Sequence, residues 1–153
     1  MASQQAAEPS GETRRPVLHR HTQRLSYADT DPAGILYYAT WFPRMEALQT
    51  EWLFLNGLRQ DTLLERFGWW TVSRATHCDY LAAARLFDEI TIELRVGDIG
   101  TSSVRFDFEM WRPADRTLVA TASNWLVTVS PDQRPIRIPE ILLRCLAGTG
   151  DDA

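Results

Sequence analysis

The chain has 153 residues, 44% of them hydrophobic, and a formal net charge of −4 at pH 7. That is apolar material for one core but too little length for two ordinary domains, and the negative balance gives nucleic acid no global attraction. No run approaches the roughly 18 apolar residues of a membrane helix, the amino terminus lacks an apolar leader, and Cys78 and Cys145 form no Cys-x-x-Cys unit, so a cytoplasmic protein acting on small molecules or proteins is expected.

Residues 1–16 are poor in large apolar side chains and rich in Gln, Glu, Ser, Gly and Arg, and 148–153 are similar, so both ends are read as flexible tails around one domain at 17–147. A strand is expected over about 17–27. Thr40 is then placed to cap a helix with Pro43 in its first turn, where a missing N–H costs little. Phe42, Met45, Gln49, Trp52 and Leu55 recur at helical spacing with Leu48 beside them, and Gly57 offers a left-handed exit. Residues 61–67 allow a short helix, with Asp61 as cap and Gly68 as stop.

From Trp69 onward the period becomes two. Ile90, Ile92, Leu94 and Val96 alternate with Thr91, Glu93 and Arg95, and Val104, Phe106, Phe108 and Met110 alternate with Arg105, Asp107 and Glu109. A further strand covers about 117–130, residues 97–101 and 113–116 supply turns, and 139–146 form a terminal helical turn. One long buried helix followed by strands with no helices between them predicts an α+β domain whose antiparallel sheet curls around that helix.

The segment from Tyr27 to Tyr38 (Tyr-Ala-Asp-Thr-Asp-Pro-Ala-Gly-Ile-Leu-Tyr-Tyr) carries two carboxylates to the start of that helix. Asp beside Pro and Gly is also ordinary turn chemistry, and Asp29 is read as structural on that ground. A helix amino end favours negative charge, which suits both an ionised Asp31 and an oxyanion. His19 and His21 share one face of a strand, but no third ligand accompanies them in the sequence, so no metal is expected. His77 and Cys78, adjacent on a strand, point to opposite faces and make no nucleophilic pair; no Gly-x-Ser-x-Gly elbow is present. Trp69 and Trp70 are read as core or interface residues before ligand contacts.

Over roughly residues 17–146 the chain resembles the hotdog-fold acyl-CoA thioesterases of the 4-hydroxybenzoyl-CoA thioesterase type. The resemblance is carried by Tyr27-x-Asp29-Thr30-Asp31-Pro32-Ala33-Gly34-Ile35-Leu36-Tyr37-Tyr38, by Glu46 and Glu51-Trp52-Leu53, and by Asp79-Tyr80-Leu81, Arg85, Asp88, Gly100-Thr101-Ser102-Ser103-Val104 and Pro135-Ile136-Arg137-Ile138-Pro139. It implies a hotdog fold, an antiparallel sheet wrapped around a long central α-helix, and hydrolysis of an acyl-CoA thioester, with an aromatic acyl group as one candidate. Asp31 takes the part of nucleophile or general base, and the Tyr38 backbone amide that of oxyanion donor. Tyr27, Gly34 and Tyr37 are then expected at the acyl pocket, Glu46 as support for the site, and Arg134 and Arg137 near the phosphates of coenzyme A. No cofactor is implied beyond coenzyme A as part of the substrate. The resemblance further implies a homodimer or homotetramer; the charge balance and the lack of a long apolar run lead to no nucleic-acid or membrane partner being expected.

A thiol with a pKa near ~8.5 leaves without a dedicated acid, so no catalytic histidine is required. Two segments depart from the family: Ala82-Ala83-Ala84-Arg85 lacks the usual basic residue and proline, and Gly100, Thr101 and Ser102 replace a basic cluster that some relatives direct at the nucleotide. These departures leave open the release of an acyl or polyketide chain from a carrier protein, and a thioester-binding scaffold subunit stands as the non-enzymatic reading. A dehydratase or hydratase is disfavoured, because no histidine lies between Asp31 and Tyr38.

Overall fold

The computed structural model describes residues 15–148, so the expected tails lie almost wholly outside the described residues. In chain order the elements are β1 (His19–Arg24), 3-10 turns at Tyr27–Asp29 and Tyr38–Thr40, α1 (Trp41–Leu55), α2 (Leu63–Phe67), β2 (Trp70–Tyr80), β3 (Glu89–Ile99), β4 (Ser103–Arg112), β5 (Thr117–Val129) and α3 (Glu140–Leu146). The strands form one sheet in the order β1-β3-β4-β5-β2, with every pairing antiparallel. No helix among the described residues is long and apolar enough to cross a membrane.

The period-two pattern sets which face of the sheet is covered. Ile90, Ile92, Leu94 and Val96 of β3 and Val104, Phe106, Phe108 and Met110 of β4 are buried, while the residues between them are only partly so. The face they make receives Trp41, Met45, Leu48, Trp52 and Leu53 of α1, and the Trp52 ring meets Phe106 edge-on at 5.7 Å between centroids. The buried stripe of α1 therefore runs Trp41, Met45, Leu48, Trp52, at helical spacing; Leu55, expected on it, is exposed on the far side of the last turn. Gln49, the one polar residue of α1 that is fully buried, accepts a hydrogen bond from Asn124 Nδ2 at 2.9 Å, and Asn124 Oδ1 accepts from Thr76 at 3.1 Å, so its burial leaves no donor or acceptor stranded.

Three local expectations are corrected. Thr40 does not cap α1 with its side chain: its own backbone is helical, because the 3-10 turn Tyr38–Thr40 leads directly into α1. Asp61 is drawn into a bidentate pair with Arg59 (3.0 and 2.6 Å), so Thr62 occupies the cap position of α2. Gly97 lies inside β3 at a bulge rather than in a turn; a Cβ there would fall 2.6 Å from Arg105 Nε, which crosses that spot to reach Asp107 and Asp98. Gly57 and Gly68 do take the left-handed conformation expected at helix exits, with φ of +78° and +75°.

The two ends of the sheet are closed differently. At one end the 25–38 segment is stitched to the β2–β3 connection: Leu25 and Phe87 donate to Asp88 and Leu25 carbonyls, Leu36 N–H to Ala84 O at 2.7 Å, and Leu86 N–H to Gly34 O at 3.1 Å. At the other end residues 134–138 and α3 cover the sheet, with Ile136 N–H donating to Thr128 O and Ile138 N–H to Thr101 O, both at 2.9 Å. The two outer strands also differ in length, β1 having six residues and β2 eleven with an exposed run from Val72 to His77. Because Leu48 lies fully buried at the centre of the helix–sheet contact, Leu48→Ala is expected to cost about 3 kcal/mol. Urea unfolding should show the midpoint falling with the slope unchanged.

Candidate active site

Proline and glycine shape the motif into a tight hairpin. Tyr37 N–H donates to Asp29 O at 2.8 Å, Thr30 and Leu36 form an isolated bridge, Asp31 N–H donates to Ile35 O at 2.9 Å, and Gly34 N–H closes the tip on Asp31 O at 2.9 Å. The tip needs a left-handed residue at its fourth position, which Gly34 supplies with φ of +72°. Asp31 therefore stands at the hairpin tip, half-buried, with Oδ1 accepting the Ala33 N–H at 2.8 Å and its other oxygen left for a further partner. Tyr38 stands at the base, as the first residue of the turn entering α1. Its N–H has no acceptor within that turn, as is general for the first amides of a helix.

Beside the base of the hairpin lies a groove of about 410 Å³, lined by Leu36, Tyr38, Trp41, Tyr80, Val119 and the run from Leu81 to Ala84. Three successive alanines, noted in the sequence only as a departure, are what leave this space open. Asp31 is not among the lining side chains. Tyr80, which the sequence offers only within Asp79-Tyr80-Leu81 and without a role, donates its hydroxyl to Tyr38 O at 2.8 Å. Burial, together with the neighbouring Cys78 and Tyr38, pushes the phenol up to about 12, so it keeps its proton and stays a donor. Tyr37 stacks obliquely on Tyr38, with ring centroids 4.8 Å apart.

The remaining candidate residues are dispersed. Tyr27 is exposed, its ring edge-on to Phe87 at 6.3 Å, outside the groove. Glu46 is exposed on α1, accepts the Thr50 hydroxyl at 2.8 Å, and borders a second groove of about 310 Å³ with Gln49, Ser73 and Thr76. Arg134 and Arg137 are exposed on the loop after β5. The 13 residues of β5 separate that loop from the hairpin by about 40 Å of strand, so within one chain the arginines and Asp31 do not meet. His77 points outward to Asp79 (3.0 Å), and Cys78 packs on the core. Trp69 is buried and stacks on Phe67. The expectation that His19 and His21 lack a third ligand is corrected: α1 brings Glu51 against both, a residue 30 positions or more further along the chain.

Residues 25–146 match the family described as the thioesterase-like superfamily. The chain belongs to that superfamily. The acyl-CoA thioesterase YbgC of Haemophilus influenzae is 32% identical over 117 residues, covering 76% of this chain and 85% of that protein. The acyl-CoA thioester hydrolase YbgC of Escherichia coli is 30% identical over 129 residues, covering 83% and 94%. Among solved structures, a 1,4-dihydroxy-2-naphthoyl-CoA thioesterase from Synechocystis superposes with a TM-score of 0.76 at 18% identity, over 84% of this chain and 95% of that one. A Staphylococcus aureus protein in complex with CoA superposes with a TM-score of 0.78 at 17% identity, over 94% and 91%. The fold is the hotdog fold expected from the resemblance.

In this member of the superfamily the hairpin is held to α1 by Asp29. The carboxylate is buried, accepts the Ser26 N–H at 2.8 Å and the Ser26 hydroxyl at 3.2 Å, and is paired with Arg44. Burial pushes its pKa up, but the Ser26 amide, the Arg44 guanidinium and the Ser26 hydroxyl outweigh that and hold it below the usual carboxylate range. A depressed folded-state pKa contributes stability that is fully present above the unfolded value of about 3.9 and is lost as pH falls through the folded value. Arg44→Met leaves the buried carboxylate unpaired and should cost about 3 kcal/mol at pH 7. Asp29→Asn should flatten the acid limb of the stability profile below about pH 4, measured by urea midpoints from pH 2 to 7.

Proposed function

We propose that this protein hydrolyses an acyl-CoA thioester, with Asp31 as nucleophile or general base and the Tyr38 amide holding the oxyanion. The observation that carries the reading is the hairpin itself, which sets a carboxylate with a spare oxygen at its tip and an N–H without a partner in its own turn at its base, beside an apolar groove. The names borne by the YbgC relatives supply the substrate class. Attack by the Asp31 carboxylate, or by a water it deprotonates, converts the carbonyl to a tetrahedral oxyanion facing the Tyr38 N–H. Collapse breaks the carbon–sulfur bond and expels a thiolate that needs no acid to leave; on the nucleophilic route the acyl group is then held on Asp31 as a mixed anhydride, which a water hydrolyses to the free acid, restoring the carboxylate. The groove, walled by Tyr38, Trp41 and Tyr80, suits a flat aromatic acyl group of the 4-hydroxybenzoyl kind.

A second copy completes the site in this reading. β2 is an outer strand with an exposed run, and antiparallel pairing of two such edges would set the start of the partner's β2 beside the end of this one. Since Trp70 is paired with Val129, the loop after β5 travels with that end. Arg134 and Arg137 of the partner subunit then reach the groove's mouth, where a coenzyme A phosphate would lie. The carrier-protein reading keeps the same chemistry and changes only what the arginines meet.

Asp31→Asn should lower kcat by about 10²–10⁴-fold in a free-thiol release assay with aromatic and aliphatic acyl-CoA substrates, leaving the urea midpoint unchanged. Turnover equal to that of the parent protein would end the assignment. Sedimentation equilibrium should return a dimer or larger; a fully active monomer would remove the partner's arginines from the site.

A further inference from the structure

Between β1 and α1, on the side of the helix away from β2, three ligand-capable groups converge. His19 and His21 alternate on β1 and lie opposite Leu94 and Ile92 of β3, two residues buried under α1, so both imidazoles face the helix. Glu51 meets them there. His19 Nε2 lies 2.6 Å from Glu51 Oε2, His21 Nε2 makes its own close contact with the same oxygen, and one ligand atom from each of the three residues falls within 4.8 Å of the others. The rings stand edge to face, with centroids 5.3 Å apart, so the two nitrogens approach the carboxylate from different directions.

We propose that His19, His21 and Glu51 form a binding site for a divalent first-row transition-metal ion, zinc foremost, that clamps β1 to α1. Two imidazole nitrogens and one carboxylate oxygen are the donor set that suits zinc, nickel, cobalt or copper over magnesium or calcium. Such an ion takes nitrogen and oxygen ligands at about 2.0–2.2 Å, and the small spread of the three donor atoms needs only a short outward shift to admit it. Three protein ligands leave a fourth position for water. The side chains are 24%, 35% and 45% exposed, which gives an ion a path in from solvent.

The clamp is separate from the proposed chemistry. Arg44, Ala47 and Glu51 lie along one side of α1 facing β1, and Glu51 sits about 10 Å further along the helix than the Arg44 that holds the hairpin. An ion at Glu51 would therefore fix an edge strand of only six residues, joined to the sheet through β3 alone, without touching substrate.

Cobalt(II) titrated into the untagged full chain tests this. The parent protein should take up a single equivalent with visible ligand-field absorption that zinc abolishes, and zinc should raise its urea midpoint. His21→Ala and Glu51→Gln should each weaken cobalt binding by about 10–100-fold or more and remove the zinc-dependent rise, while His77→Ala leaves both unchanged. Circular dichroism of the metal-free variants verifies that they fold. No saturable cobalt spectrum in the parent, or one retained in a folded His21→Ala/Glu51→Gln double variant, overturns the proposal.

Discussion

Asp29 is the residue on which the arrangement of the candidate site depends. Its carboxylate receives Ser26 and Arg44, and its carbonyl receives the Tyr37 N–H, so one residue joins the end of β1, the returning arm of the hairpin and the first turns of α1. Asp31 has no such ties beyond its own turn. The division follows from position: two residues apart, one aspartate is turned into the fold and neutralised by an arginine, while the other makes the last backbone bonds of the hairpin and stands at its tip. Burial thus sets the two aspartates apart: Asp29 is buried and Asp31 half-buried.

The groove beside the hairpin is made by small residues. Ala82, Ala83 and Ala84 leave space that larger side chains would fill, and Tyr38, Trp41 and Tyr80 wall it with aromatic surface. Ala84 is buried and its carbonyl accepts the Leu36 N–H, so the same run that leaves the groove open also anchors the hairpin arm. The Tyr80 hydroxyl, donating to the Tyr38 carbonyl, ties β2 to the turn that enters α1.

Much of this is readable from residue order, and what is not has separate physical causes. Strands β3 and β4 announce themselves through alternation, because one face is covered by α1 and the other is not. The hairpin announces itself because Pro32 and Gly34 are local turn chemistry. Leu55 was misjudged, since periodicity alone does not show where a helix runs off the edge of the sheet that buries it. Asp61 was misjudged because a neighbouring arginine competes for the same carboxylate. Tyr80 and the alanine run join the site from more than 40 positions beyond the hairpin, through strand pairing that no local pattern encodes. The meeting of His19 and His21 with Glu51 is hidden in the same way, and more deeply, since it pairs a period of two on a strand with a period of 3.6 on a helix.

The two outer strands show how one sheet handles two edges. β1 is short, and its inward histidines are engaged by α1; its outer side carries Arg20 and Arg24, each paired with a glutamate of β3. Charges of this kind discourage another strand from pairing there. β2 has 11 residues and an exposed run whose side chains at Val72, Ser73, Ala75 and Thr76 carry no charge, with the charged Arg74 between them and His77, which meets Asp79, at its end. This longer edge is the one the proposed dimer would use. The polar network of Gln49, Asn124, Ser73 and Thr76 runs from the core to that same edge. A second protomer docked on β2 would therefore cover hydrogen-bonding groups that are already satisfied, and the cost of burying them is met within each chain before the two meet.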